Sequence, residues 1–124
     1  MDAPQMKISA TVIGGPDPRA LADFYEKLLG WTREQDEPDW VKLLPPDGRT
    51  GLSFQTEERH VPPIWPAGEG DQQMMMHLDI AVENLNDSVQ WALEAGATLA
   101  DFQPDLDNRV MLDPAGHPFC LFEN

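Results

Sequence analysis

The hydrophobic pattern of this 124-residue chain repeats once along its length. ATVI, residues 10–13, alternates as a half-buried strand does, and a Gly-Gly-Pro-Asp-Pro turn follows it. Beyond the turn, Leu21, Phe24 and Leu28, with Tyr25 beside them, fall at the spacing of one helical stripe. HLDIAV, residues 77–82, starts the same sequence of events again. Leu85, Val89 and Ala92, with Leu93, form its stripe. Asp17 and Asn84 have the side chains that cap helix N-termini, and Gly30 and Gly96 stand where a left-handed residue ends each helix. On this alignment Trp91 matches Phe24 and is expected in the core.

Each helix is followed by three β-prone runs: WTREQ, WVKLL and TGLSFQT in the first half, ATLADFQ, RVMLD and FCLFE in the second. PPDGR and DPAGHP place turn chemistry before the last strand of each half. Val41 and Leu43 are matched to Val110 and Leu112. The expected fold class is therefore α+β: two tandem βαβββ modules, residues 7–57 and 74–124, forming one domain over residues 1–124. A proline- and glycine-rich linker loop, residues 58–73, joins them. One such sheet with one helix leaves its other face bare, so the two copies are expected to form a curved mixed sheet around a central cleft.

Composition narrows the function. The formal charge is −14, and residues 71–124 hold ten acidic side chains against one basic residue, Arg109. Such a surface repels phosphate backbones and anionic lipid, so neither nucleic acid nor membrane is an expected partner, and a cationic ligand is favoured in encounter. The single cysteine, Cys120, forbids an intrachain disulfide and suits a reducing compartment. The N-terminal residues lack an apolar run long enough for a signal peptide or a membrane span, and a cytoplasmic protein is expected.

DPRALADFYEKLLGW in the first half, with HLDIAV, ALEAGA and LDPAGHPFCLFE in the second, resembles the vicinal oxygen chelate superfamily over roughly residues 7–123. That group includes glyoxalase I, extradiol dioxygenases, fosfomycin-modifying enzymes and bleomycin-binding resistance proteins, and the closest likeness is to its glyoxalase-like domain proteins. The resemblance implies four inward strand positions that carry metal ligands, typically histidine or glutamate. Position by position these become Ala10, Gln55, His77 and Cys120, with Gln55 dependent on the register of the loop before it. It also implies a homodimer.

These four residues make a poor cage for a hard dication. Ala10 offers no donor, Gln55 a neutral amide oxygen, and Cys120 a soft sulfur better matched to zinc or copper. No metal cofactor is expected; a divalent ion held by His77, Gln55 and Cys120 is the alternative. Asp79 shares the face of His77, since strand side chains repeat every second residue. His77, Cys120 and Asp79 are the candidate catalytic residues: a cysteine nucleophile beside a histidine, or His77 with Asp79 as a general base. Phosphate-loop, dinucleotide and serine-hydrolase signatures are absent.

Without a metal, the fold still provides a small-molecule cavity. Trp40, Gln55, Trp65, Met75, His77, Asp79, Cys120 and Phe122 are the expected ligand contacts, with Trp65 as a loop-borne lid and Met75 on a strand that begins at residue 74. The expected function is a metal-free binding or sequestering protein of the bleomycin-resistance type, acting on an aromatic or cationic small molecule. The alternative is a lyase, isomerase or dioxygenase-like enzyme using His77, with or without an atypical metal.

Overall fold

A computed structural model describes residues 2–123 of the chain. They divide into two compact units, Met1–Glu58 and Arg59–Asn124. The first carries β1 (Ala10–Gly15), α1 (Pro18–Leu29), β2 (Thr32–Glu37), β3 (Trp40–Leu44) and β4 (Gly51–Thr56). The second carries β5 (Leu78–Val82), α2 (Leu85–Ala95), β6 (Thr98–Leu99), β7 (Asn108–Leu112) and β8 (Pro118–Glu123). Each unit forms a four-stranded mixed sheet with the same connectivity, β1-β4-β3-β2 and β5-β8-β7-β6. In both, the strand before the helix runs parallel to the last strand, and the remaining pairs are antiparallel. The α+β class and the tandem βαβββ modules are thus as the periodicity predicts.

The helix boundaries follow from their caps. Asp17 is extended, and its Oδ1 accepts the Ala20 N–H at 3.1 Å. Gly30, at φ 69°, closes α1 by donating to the Glu26 carbonyl. Asn84 accepts from Asp87 N at 2.9 Å at the start of α2. The Glu123 carboxylate takes the Leu85 N–H at 2.9 Å, tying the end of β8 to the positive end of that helix. Gly96 ends α2 at φ 122°, a positive angle outside the left-handed helical region expected there.

The two cores differ in volume. In the first unit Leu21, Phe24 and Tyr25 of α1 pack on Val41, Leu43, Leu52 and Phe54, and Tyr25 stacks on Phe54 with ring centroids 5.4 Å apart. In the second, Ala92 fills the position that Tyr25 holds in the first, against Met111, Phe119 and Leu121. Trp91 is 49% exposed, contrary to the expectation that it matches the buried Phe24. The run ATLADFQ contributes only a two-residue strand, β6.

Register also departs from the sequence alignment of the modules. Lys42 pairs with Ser53, and Val110 pairs with Cys120. Val110 therefore matches Lys42 rather than Val41, a one-residue offset that exchanges the two faces of a strand. The linker, expected to be a free loop, is pinned within the second unit. His60 Nε2 hydrogen-bonds the Ala115 carbonyl at 2.6 Å, Pro62 abuts Gly116, and the Trp65 indole N–H donates to the Phe102 carbonyl at 3.3 Å.

Candidate functional site

Asp79, Cys120 and Val110 form one row across β5, β8 and β7, because the ladders pair Asp79 with Cys120 and Cys120 with Val110. Phe119 and Leu121, their neighbours on β8, turn the other way and are buried at 0% and 1% exposure. His77 lies two residues before Asp79, just ahead of β5, and its Nε2 stands 3.0 Å from Asp79 Oδ1. Asp113, 4% exposed, holds the tight turn between β7 and β8. Its Oδ1 accepts the N–H groups of Ala115 and His117, both at 2.9 Å.

Over this row lies a cavity of about 230 Å³. Trp65, Met74, Pro104, Val110 and Pro118 give it apolar walls, and His77, Asp79, Asn108 and Cys120 supply its polar groups. Trp65 is half-buried and fixed by its bond to Phe102 O and by the Phe102 ring, 6.4 Å away. Its indole forms one wall of the cavity.

The electrostatics oppose a free thiolate. Burial pushes the Cys120 thiol up, and the charges of Asp79 and Asp105 with a hydrogen bond to Asp79 push it further. A cysteine nucleophile activated by His77, one of the candidate chemistries, would need the reverse. The carboxylate of Asp79 pairs with the His77 ring, and its charge bears on the Cys120 thiol.

Of the residues the sequence puts forward, Trp65, His77, Asp79 and Cys120 line this cavity. Met75 does not; it is 80% exposed in a bend, and Met74 takes its place. The strand expected from residue 74 starts at Leu78, so alternation does not carry back to the methionines. Phe122 is half-buried beside Ala81 and Asn108 in the sheet, outside the cavity lining. Trp40 and Gln55 belong to the first unit, where they pair across β3 and β4, and Trp40 donates to the Gln35 side chain at 3.1 Å. Sequence reading missed Asn108, Val110, Pro104 and Pro118. The first two were within reach, since alternation along β7 puts them on one face; the prolines sit at loop and strand-end positions that no periodicity marks.

The equivalent row in the first unit is Val12, Ser53 and Lys42. Ser53, not Gln55, therefore occupies the place of Cys120, and Ala10 that of His77. Ser53 is 1% exposed, and its Oγ has no hydrogen-bond partner among the described residues. A methyl group and one hydroxyl there provide no anionic donor, so the hard dication implied by the resemblance is not matched by the residues present.

The duplicated βαβββ modules put the chain in the fold class of the glyoxalase, bleomycin resistance and dioxygenase proteins. The chain belongs to the glyoxalase-like domain family, whose model matches residues 10–122. Among solved structures it is similar to a glyoxalase/bleomycin resistance protein/dioxygenase family enzyme from Burkholderia phytofirmans PsJN. That match has 19% identity and a TM-score of 0.71, covering 95% of this chain and 98% of that one. It is also similar to a glyoxalase family protein from Enterococcus faecalis, at 21% identity and TM-score 0.68, covering 94% and 97%. TnmS3, an antibiotic binding protein from Streptomyces sp. CB03234, matches at 16% identity and TM-score 0.65, covering 98% of each chain. Comparison with curated protein sequences finds no match.

Proposed function

We propose that this protein binds and sequesters a compact aromatic or cationic small molecule in the cavity of its second unit, in the manner of the bleomycin-resistance proteins. The observation that carries this reading is the pairing of a fixed indole wall, Trp65, with the carboxylate of Asp79 in one cavity. An aromatic cation satisfies both: its ring or charge lies against the indole, and its positive group meets the carboxylate. At about 230 Å³ the cavity is small for a drug-sized ligand, so it takes one group of a larger molecule. The antibiotic-binding TnmS3 shares the fold and lends support of the same kind.

The test is a thermal-shift and calorimetric screen of chelator-treated protein against bleomycin-type glycopeptides and simpler aromatic cations. A ligand of this class raises Tm by several degrees at concentrations well above Kd, and Asp79→Asn lowers its affinity at least tenfold. A flat response across the set overturns the proposal.

The second reading is a lyase or isomerase, and the His77–Asp79 pair favours it: a carboxylate that orients an imidazole makes a general base. Turnover of a carbonyl substrate, lost in His77→Ala, distinguishes it. A cytoplasmic homodimer is part of the same proposal, and light scattering of the purified protein tests the oligomeric state.

A further inference from the structure

From the convergence of three side chains we infer that the second unit alone holds a site for a borderline-soft dication such as zinc, bound by His77, Asp79 and Cys120. One ligand atom from each residue lies within 4.8 Å of the other two. In a tetrahedral zinc site, donors at the usual bond lengths stand roughly 3.3–3.7 Å apart. The His77–Asp79 separation is 3.0 Å, a little below this range, and no separation among the three exceeds 4.8 Å, so the donors need to shift by only about an ångström.

The backbone explains why the three meet. Asp79 and Cys120 are ladder partners on adjacent strands, and His77 reaches the same face from two residues upstream. The donor set also balances charge. A carboxylate and a thiolate contribute two negative charges to a dication, and the neutral imidazole completes a nitrogen, oxygen and sulfur set that suits zinc and suits magnesium poorly. The three donors line the same cavity as Trp65, Met74 and Asn108, so an ion held by them would be open to a small ligand entering it. This arrangement is that of a zinc ion with three protein ligands and one exchangeable position. Asp79 supplies the carboxylate that the four strand-end positions lack. The site uses no residue of the first unit, and because it engages the Asp79 carboxylate that faces a cationic ligand, zinc and such a ligand compete for the cavity.

The experiment is a titration of purified, chelator-treated protein with cobalt(II), followed by competition with zinc and with magnesium. The expected result is one ion per chain, with a near-ultraviolet sulfur-to-cobalt charge-transfer band and intense visible bands of a four-coordinate ion. Zinc displaces the cobalt and magnesium does not. Cys120→Ser abolishes the charge-transfer band. His77→Ala and Asp79→Asn weaken binding by roughly a hundredfold or more, while exposed Asp101→Asn leaves it unchanged. Far-ultraviolet circular dichroism of each variant establishes that the chain is still folded. Substoichiometric binding without the band overturns the site, as does a band that survives Cys120→Ser or affinity that survives both His77→Ala and Asp79→Asn. The ligand screen on chelator-treated protein gives its own answer, so failure of either reading is seen separately.

Discussion

Asp79 and Cys120 face each other across the parallel ladder of β5 and β8, and Asp79 Oδ1 stands 3.0 Å from His77 Nε2. Asp79 is thus the hub of the polar site. It is neither of the two residues, His77 and Cys120, that the family pattern singles out. A carboxylate two residues along a strand from a histidine is an ordinary surface feature until the neighbouring strand brings a third donor beside it.

Trp65 should report on ligand entry. Trp65→Ala removes the indole wall and its bond to Phe102 O. We expect at least tenfold weaker binding of any aromatic cation that stabilises the parent protein, with little loss of stability, because the residue sits on a loop and is only half-buried. Calorimetry of the variant beside its thermal melt separates the two effects.

Asp113→Ala should loosen the site from below. The change strips the acceptor from the Ala115 and His117 amides in the turn that leads into β8. Leaving two partly buried donors unpaired costs on the order of 2 kcal/mol. Urea unfolding should show the lower midpoint, and amide exchange should quicken first at residues 115–117.

Gly51 is required by close approach. It begins β4, and a Cβ there would press into the Leu43 carbonyl oxygen of β3. Gly51→Ala should cost about 1–3 kcal/mol through displacement of the ladder. The cost would appear in the denaturation midpoint without any change in zinc or ligand affinity, since both sites lie in the second unit. An alanine variant as stable as the parent would contradict the packing described.

The Arg33 cluster should make stability fall in acid. Arg33 donates to Asp23 at 2.7 Å, Glu26 at 3.0 Å and Asp36 at 3.3 Å, and Arg19 joins Asp36 at 3.0 Å. Burial would lower the Arg33 pKa, but its bonds to Asp23 and Glu26 outweigh that and raise it. The hydrogen bond from Arg19, with help from Arg33, holds Asp36 below its ordinary 3.8. A carboxylate with a depressed folded pKa stabilises the fold above its unfolded pKa, and the contribution disappears as pH falls through the folded value. The parent should therefore lose stability below about pH 4 more steeply than Asp36→Asn does. The effect should be small and should shrink in high salt, because the carboxylate is exposed.

Much of the fold was legible in the chain itself. Caps at Asp17 and Asn84, glycines at 30 and 96 and the paired helical stripes located both helices, because these signals are local and depend on a few residues each. The repeat supplied the topology, since two stretches with the same order of periods build the same module. His77, Asp79 and Cys120 were already visible as residues of one face. Where sequence reading failed, a distance across the fold decided the outcome. Trp91 stands half in solvent while its neighbour Ala92 is fully buried, a choice of helix face that the stripe alone did not settle. Met74 lines the cavity and Met75 points away because β5 starts later than alternation suggests.

Sequence by itself determined the architecture of this protein: helical and strand periods, capping side chains and turn residues act over a few positions and repeat in both halves. Only tertiary structure decided the chemistry. Which residue stands opposite Cys120 depends on strand register, and a ladder shifted by one residue would have shown the thiol a leucine or an isoleucine in place of Asp79.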